Sequence, residues 1–181
     1  MDTTTPAPIL FVLGTARDGR ESEKVFSFVT SVARERTDLT VLCADVRDFP
    51  TTRTGGLAPE KTAQWSDLLT RARGIVIVAP EYNHSFPGEL KLLLDAAYKE
   101  YRDKPVAICG VSNGPVGGAR MAEQLKLVLL AFQATVVNAA VYVTNVPETF
   151  PQEGAPLQSD FWRGRVTGML DELLAHVSSQ V

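Results

Sequence analysis

Ile75-Val76-Ile77-Val78-Ala79-Pro80-Glu81-Tyr82-Asn83-His84-Ser85-Phe86-Pro87-Gly88 is the stretch that decides how this chain folds. Its opening run is apolar and mostly β-branched, with no polar break. That is the pattern of a strand covered on both faces, and so of a parallel sheet. The residues after it abandon the pattern at once, and Pro87 stands where the first turn of a helix tolerates it. Strand, polar loop and helix in that order make half of a βαβ unit.

The same order recurs on either side. Residues 8–13 are another short apolar run, leading through Gly14-Thr15-Ala16-Arg17-Asp18-Gly19-Arg20-Glu21-Ser22 into a helix expected over 22–36. There Val25, Phe28, Val29 and Val32 share one face at i, i+3, i+4 and i+7. Further strands are expected at 40–44, 74–79, 105–111 and 136–143. Helices are expected at 60–73, with Trp65, Leu68, Leu69 and Ala72 on one side, at 87–101 and at 119–132. A last helix is expected at 159–178, with Ser159 as its N-cap. Strand and helix thus alternate about five times, which defines an α/β protein with a doubly wound, five-stranded parallel sheet and helices on both faces. Right-handed crossovers make 2-1-3-4-5 the expected strand order. That order reverses between the first and third strands, so the loops after them open on one crevice. Residues 50–59 and 145–158 show no regular pattern and read as long loops.

With 181 residues, the chain reads as one domain spanning 1–181. Net charge is -3 and no basic stripe is visible, which argues against a nucleic-acid surface. The longest apolar runs are far too short for a membrane span, and no basic segment precedes an apolar one at the start. A cytoplasmic protein with no membrane or nucleic-acid partner is expected. Cys43 and Cys109 fall inside expected strands and read as small buried hydrophobes. With His84 and His176 scattered, no zinc site is expected.

Three loops carry chemistry. A phosphate needs backbone N–H groups, a helix N-terminus and a few hydroxyl or guanidinium groups. The first loop offers Thr15, Arg17 and Ser22, with Gly14 and Gly19 for tight turns. In the second, Glu81, Tyr82 and Asn83 stand in a row where a core turn needs none of them. Tyr82 offers a broad amphipathic face and Asn83 both donors and an acceptor, which suits a flat polar ring. His84 is expected at the lip of such a site. The third loop, Ser112-Asn113-Gly114-Pro115-Val116-Gly117-Gly118, presents glycines where a flat ring could lie against bare backbone. A phosphate beside a flat ring points to a flavin nucleotide.

Two rivals are weighed. Gly14-x4-Gly19 has Walker A glycine spacing, but Arg20-Glu21 replaces the Lys and Ser/Thr that a triphosphate and its magnesium require. Gly110-Val111-Ser112-Asn113-Gly114 fits the pattern of a nucleophile elbow, with Asp160 or Asp171 and His176 downstream. Against it, Pro115 and Gly117-Gly118 delay the helix, and His176 lies within one. A serine hydrolase on Ser112 also leaves the first two loops without a role.

Taken together, Gly14-Thr15-Ala16-Arg17…Ser22, Pro80-Glu81-Tyr82-Asn83-His84-Ser85-Phe86-Pro87-Gly88-Glu89-Leu90-Lys91 and Ser112…Gly117-Gly118 make this chain resemble the NAD(P)H-dependent FMN reductase family. These flavodoxin-like proteins include quinone, azo-dye and chromate reductases. The resemblance spans about the first 140 residues of this sequence. It implies a flavodoxin-like fold, bound FMN, NADPH or NADH as co-substrate, and a small-molecule electron acceptor such as a flavin or quinone. By the same analogy Thr15, Arg17 and Ser22 hold the FMN phosphate. Pro80, Glu81, Tyr82 and Asn83 line the isoalloxazine, and Ser112, Gly114, Gly117 and Gly118 border its other edge. No side chain is assigned as a catalytic acid or base. Many members carry Ser at the place of Thr15 and Asn at the place of Leu92. A non-enzymatic flavodoxin-like electron carrier is the alternative, although such carriers are more acidic than this chain.

The resemblance also implies a homodimer or homotetramer. Independently, Leu90, Leu93, Leu94, Ala97 and Tyr101 form a stripe that Leu92 and Tyr98 widen. Leu125, Leu127, Val128, Leu129, Leu130 and Phe132 run almost all the way round the next helix. Such helices are usually buried on more than one side.

Overall fold

In the computed structural model, residues 6–53, 55–151 and 156–179 are described. Their elements are β1 (Ala7–Leu13), α1 (Ser22–Arg34), β2 (Leu39–Asp45), α2 (Pro59–Arg71), β3 (Gly74–Pro80) and α3 (Gly88–Leu94). These are followed by β4 (Pro105–Val111), α4 (Ala119–Ala131), β5 (Thr135–Val136), β6 (Val141–Val143), α5 (Val146–Thr149) and α6 (Ser159–Ser178). All strand pairs are parallel, in the order β2-β1-β3-β4-β5, with β6 beside β4 further along the same edge. The expected order 2-1-3-4-5 is therefore present.

Strict alternation along the central strands builds two cores, one on each face of the sheet. Ile9 and Phe11 of β1, Val76 and Val78 of β3, and Ala107 and Cys109 of β4 pack against α1 and α6. Leu10 and Val12, Ile75 and Ile77, and Val106 and Ile108 face the other way, onto α2, α3 and α4. The register pairs Leu13 with Val78 and Pro80 with Val111. The loops after β1, β3 and β4 therefore leave the sheet along one rim.

Four local departures have identifiable causes. The third helix does not run to Tyr101 but ends at Leu94. Tyr101 is fully buried, where its hydroxyl donates to the Leu94 carbonyl (3.0 Å) and accepts from Trp65 Nε1 (3.0 Å), so the chain turns inward through a 3₁₀ turn at Lys99–Tyr101. The expected strand over 136–143 is two short ones, because the Glu172 carboxylate of α6 takes the Asn138 and Ala139 N–H groups (2.6 and 3.0 Å). Ser159 does not cap α6; it is the first helical residue, and Gln158 precedes it at φ 54°. The loop expected over 145–158 contains α5.

Cys43 also departs from expectation. It lies on the edge strand β2 and is exposed, with Arg34 Nη2 3.7 Å from its sulfur. Cys109 is buried as expected, and burial pushes its thiol up to about 12. Among the described residues no helix is long and apolar enough to cross a membrane.

Candidate functional site

The three loops converge on a cleft of about 330 Å³, lined by residues 17–22, by Pro80, Glu81 and Tyr82, and by Val111, Ser112 and Asn113. A second groove of about 400 Å³ adjoins it, sharing Glu81, Ser112 and Asn113 and reaching Asn83, His84, Gly114 and Arg120. Arg17, Ser22, Pro80, Glu81, Tyr82 and Ser112 thus come together in the cleft, while Asn83 and Gly114 lie on the groove beside it. Thr15, Gly117 and Gly118 line neither and are buried behind the walls.

The first loop wraps the start of α1. Ser22 is buried at 2 % exposure, and its Oγ has no hydrogen-bond partner. A buried hydroxyl without a partner is costly, and a ligand oxygen satisfies it. At the start of α1 the Glu23 and Lys24 N–H groups donate to the Arg20 and Glu21 carbonyls (3.3 and 3.2 Å), and the N–H groups before them belong to Glu21 and Ser22, which line the cleft. Charge favours an anion there. Glu21 Oε2 lies 2.7 Å from Lys24 Nζ, which offsets its charge although that oxygen is buried without a hydrogen bond, whereas Arg17 is paired with no carboxylate among the described residues and rests over the Tyr82 ring, 5.7 Å from its centroid. The residues present therefore fit a phosphate.

Arg20 has a different task. Only 8 % exposed, its Nη1 donates to the Thr15 carbonyl (2.6 Å) and to Asp45 Oδ1 (2.7 Å), Nη2 donates to Asp45 Oδ2, and Nε donates to Glu23 (3.2 Å). Burial alone would push the Asp45 carboxyl up. Hydrogen bonds from Arg20 and the Arg47 N–H, with the charges of both arginines, instead hold it below its ordinary value. Arg47 adds a second tie by donating to the carbonyls of Ala16 (3.1 Å) and Arg17 (2.6 Å).

The second loop is shaped by its own backbone. Tyr82 N–H donates to Ser85 O (2.8 Å) and Ser85 N–H to Tyr82 O (3.0 Å), with Asn83 and His84 between them at φ 49° and 68°. That is a two-residue turn of type I′, for which Asn is favoured and His tolerated. Both tip side chains are exposed. Glu81 Oε1 accepts from Arg120 (3.2 Å) and Oε2 from the Met121 N–H (3.4 Å), which fastens the loop to the start of α4.

In the third loop Ser112 Oγ accepts from the N–H groups of Gly117 (3.0 Å) and Gly114 (3.3 Å) and donates to Gly114 O (3.0 Å). Its hydroxyl closes its own turn. Asp171 pairs with Arg36 at 2.6 Å, and His176 lies in the last turn of α6. Among the described residues no hydrolytic triad is built on this serine. Gly117 (φ 63°) and Gly118 (φ 84°) are glycines for packing, because a Cβ would lie 2.8 Å from the Tyr142 backbone or 2.7 Å from the Val111 nitrogen.

Sequence reasoning missed the residues that brace the loops: Asp45, Arg47, Glu89 and Arg120. Glu89 lies within the 80–91 segment, but nothing local to it signals a partner more than seventy positions away.

With this geometry in view, likeness to known proteins is specific. Residues 7–148 match the NADPH-dependent FMN reductase family, and the chain belongs to it. An NAD(P)H-dependent FMN reductase of Schizosaccharomyces pombe is 32% identical over 128 residues, covering 65% of this chain and 63% of that protein. A quinone reductase of Escherichia coli K12 is 31% identical over 127 residues, covering 67% of this chain and 63% of its own. The matches thus span slightly less than two thirds of these relatives. Among solved structures, the flavoenzyme NAD(P)H:acceptor oxidoreductase FerB of Paracoccus denitrificans superposes with a TM-score of 0.79. It is 23% identical, with 94% of this chain and 98% of that one covered, and shows the shared flavodoxin-like fold.

Proposed function

We propose that this chain is an FMN-dependent oxidoreductase that moves electrons from NADPH or NADH to a flavin, a quinone or a similar small acceptor. The observation that carries the reading is the unpartnered Ser22 hydroxyl, buried in a cleft where an uncommitted arginine and a helix start face a tyrosine-bearing loop. FMN held there would supply the hydride-transfer chemistry between a nicotinamide and the acceptor. The side chains bind and orient. Ser22 and Arg17 take the phosphate. Pro80, Tyr82 and Ser112 wall the ring, and Glu81 holds that wall to α4. Asn83 and Gly114 border the outer groove, where the second substrate would enter. Thr15, Gly117 and Gly118 shape the walls from behind. No side chain moves a proton as an obligatory step.

The purified protein should show a flavin absorbance spectrum, as isolated or after FMN addition, and anaerobic NADPH should bleach it. Steady-state NADPH or NADH oxidation that depends on added FMN or quinone separates an enzyme from an electron carrier. A protein that neither carries nor takes up FMN overturns the reading.

The same reading includes a homodimer of cytoplasmic, single-domain chains. It is supported by Leu92, Tyr98, Leu127 and Leu130, which are 40–69% exposed on and beside α3 and α4. Tyr98 OH reaches the Ala131 carbonyl at the end of α4 (3.4 Å), which brings Tyr98 beside the helix that carries Leu127 and Leu130. Clustered exposed apolar groups of this size mark interaction sites. Light scattering should give twice the chain mass, and Leu127→Glu with Leu130→Glu should return it to one.

A further inference from the structure

We propose that Glu89 is a positioning residue that couples the phosphate loop to the ring-side loop, so that FMN affinity depends on it without contact between them. This rests on the flavin reading above. Glu89 is in the first turn of α3, whose Leu90, Leu93 and Leu94 are sunk in the core, so its backbone is firmly anchored. Its Oε1 accepts from two groups of the opposite loop, the Thr15 hydroxyl at 3.0 Å and the Ala16 N–H at 2.9 Å. Thr15, wholly buried, carries the tie onward to the Tyr82 hydroxyl at 3.0 Å.

An ionised carboxylate has no proton to give, and this fixes the direction of the whole chain. Thr15 must donate to Glu89, so its oxygen accepts from Tyr82 O–H and from the Arg17 N–H (3.3 Å). The Tyr82 proton is thereby turned away from the cleft, and the phenolic oxygen can only accept on its remaining side. The residue that walls the ring and the residue that carries the free guanidinium are both set by one carboxylate on a third element. Charge-assisted bonds of this kind are the stronger ones.

The test measures FMN binding to the flavin-free protein by quenching of flavin fluorescence, for the parent and for Glu89→Leu, Thr15→Val, the double variant and Glu89→Gln. Glu89→Leu and Thr15→Val should each weaken binding roughly tenfold, and the double variant should be no worse than either, since both cut one chain. Glu89→Gln keeps an acceptor oxygen facing Ala16 and should stay within about threefold of the parent. Additive losses, an unchanged Glu89→Leu, or a glutamine variant as weak as the leucine one would overturn the coupling. Should Glu89→Leu not fold, Thr15→Val decides, and binding equal to the parent sinks the proposal. A parent protein that ignores FMN brings down the flavin reading itself, whereas a binding parent with indifferent variants brings down the coupling alone.

Discussion

The two loops that flank the cleft are stabilised in opposite ways. The loop over 80–88 is largely self-made: a reciprocal pair of backbone hydrogen bonds closes a type I′ turn, and the residues at its tip bear the positive φ angles. The loop over 14–22 makes no such turn of its own, and side chains from elsewhere hold it. Arg20 reaches Asp45 at the end of β2, Arg47 follows two residues further on, and Glu89 reaches over from α3. A turn held by its own backbone should tolerate the loss of a side chain at its tip, Asn83 or His84. A loop held by distant side chains should lose its shape when one goes, and the contrast can be broken by mutation.

The largest effect is expected from Arg20→Met, which leaves Asp45 facing a methyl group beside a half-buried turn. Removing one partner of a buried ion pair costs about 3 kcal/mol, to be read from urea unfolding, with FMN binding lost alongside. The pH dependence has a definite sign. Asp45 is held below its ordinary value, so its pairing contributes fully above the unfolded carboxylate value of about 3.9 and is lost as pH falls through the lower folded value. The gap between parent and variant should therefore be constant from neutral pH to about 5 and narrow below about 4, leaving the part due to the Arg20 bond to the Thr15 carbonyl, which does not titrate.

Arg17→Ala probes the same loop without its brace. Among the described residues its guanidinium forms no ion pair and rests over the Tyr82 ring, so unfolding should shift by less than about 0.5 kcal/mol. FMN should nevertheless bind more weakly by about 1.5–3 kcal/mol, the loss of one charge-assisted contact. Calorimetry with FMN beside a melting curve checks both halves.

In the third loop, Gly117→Ala should destabilise by about 2 kcal/mol, because φ is 63° and the new methyl would meet the Tyr142 backbone at 2.8 Å. Gly114→Ala, whose Cβ would lie 3.9 Å from Ser112 Oγ, is its near-neutral control. A small effect is also expected in the self-made loop. Asn83→Ala should cost about 1 kcal/mol through the left-handed backbone alone, and Asn83→Gly close to nothing. If Asn83→Ala proved worse than Arg20→Met, the contrast between the loops would be wrong.

How much of this was legible in the sequence follows the range of the forces involved. Strands β1, β3 and β4 announce themselves because burial on both faces demands unbroken apolar runs, and their order follows from crossover handedness. The cleft was legible as three loops on one rim. What could not be read is set by contacts between residues far apart in the chain. Tyr101 ends the third helix early because Trp65 waits for its hydroxyl. Glu172 splits the last strand from a helix thirty residues away. Thr15, expected to hold phosphate, spends its hydroxyl on Glu89 and Tyr82. One further constraint is not local either: a Cβ on Gly117 or Gly118 would meet the backbone of Tyr142 or Val111.

The gap between β5 and β6 has a consequence for how this molecule behaves in a crowd. An open sheet presents, at its last strand, a row of unpaired main-chain groups onto which a neighbour can add. Here that border is only two and three residues long on either side of the break, and Glu172 has already claimed two of the intervening N–H groups. No stranger can zip along it for more than a few rungs. A helix thus guards the flank against runaway stacking while the cleft at the rim stays open.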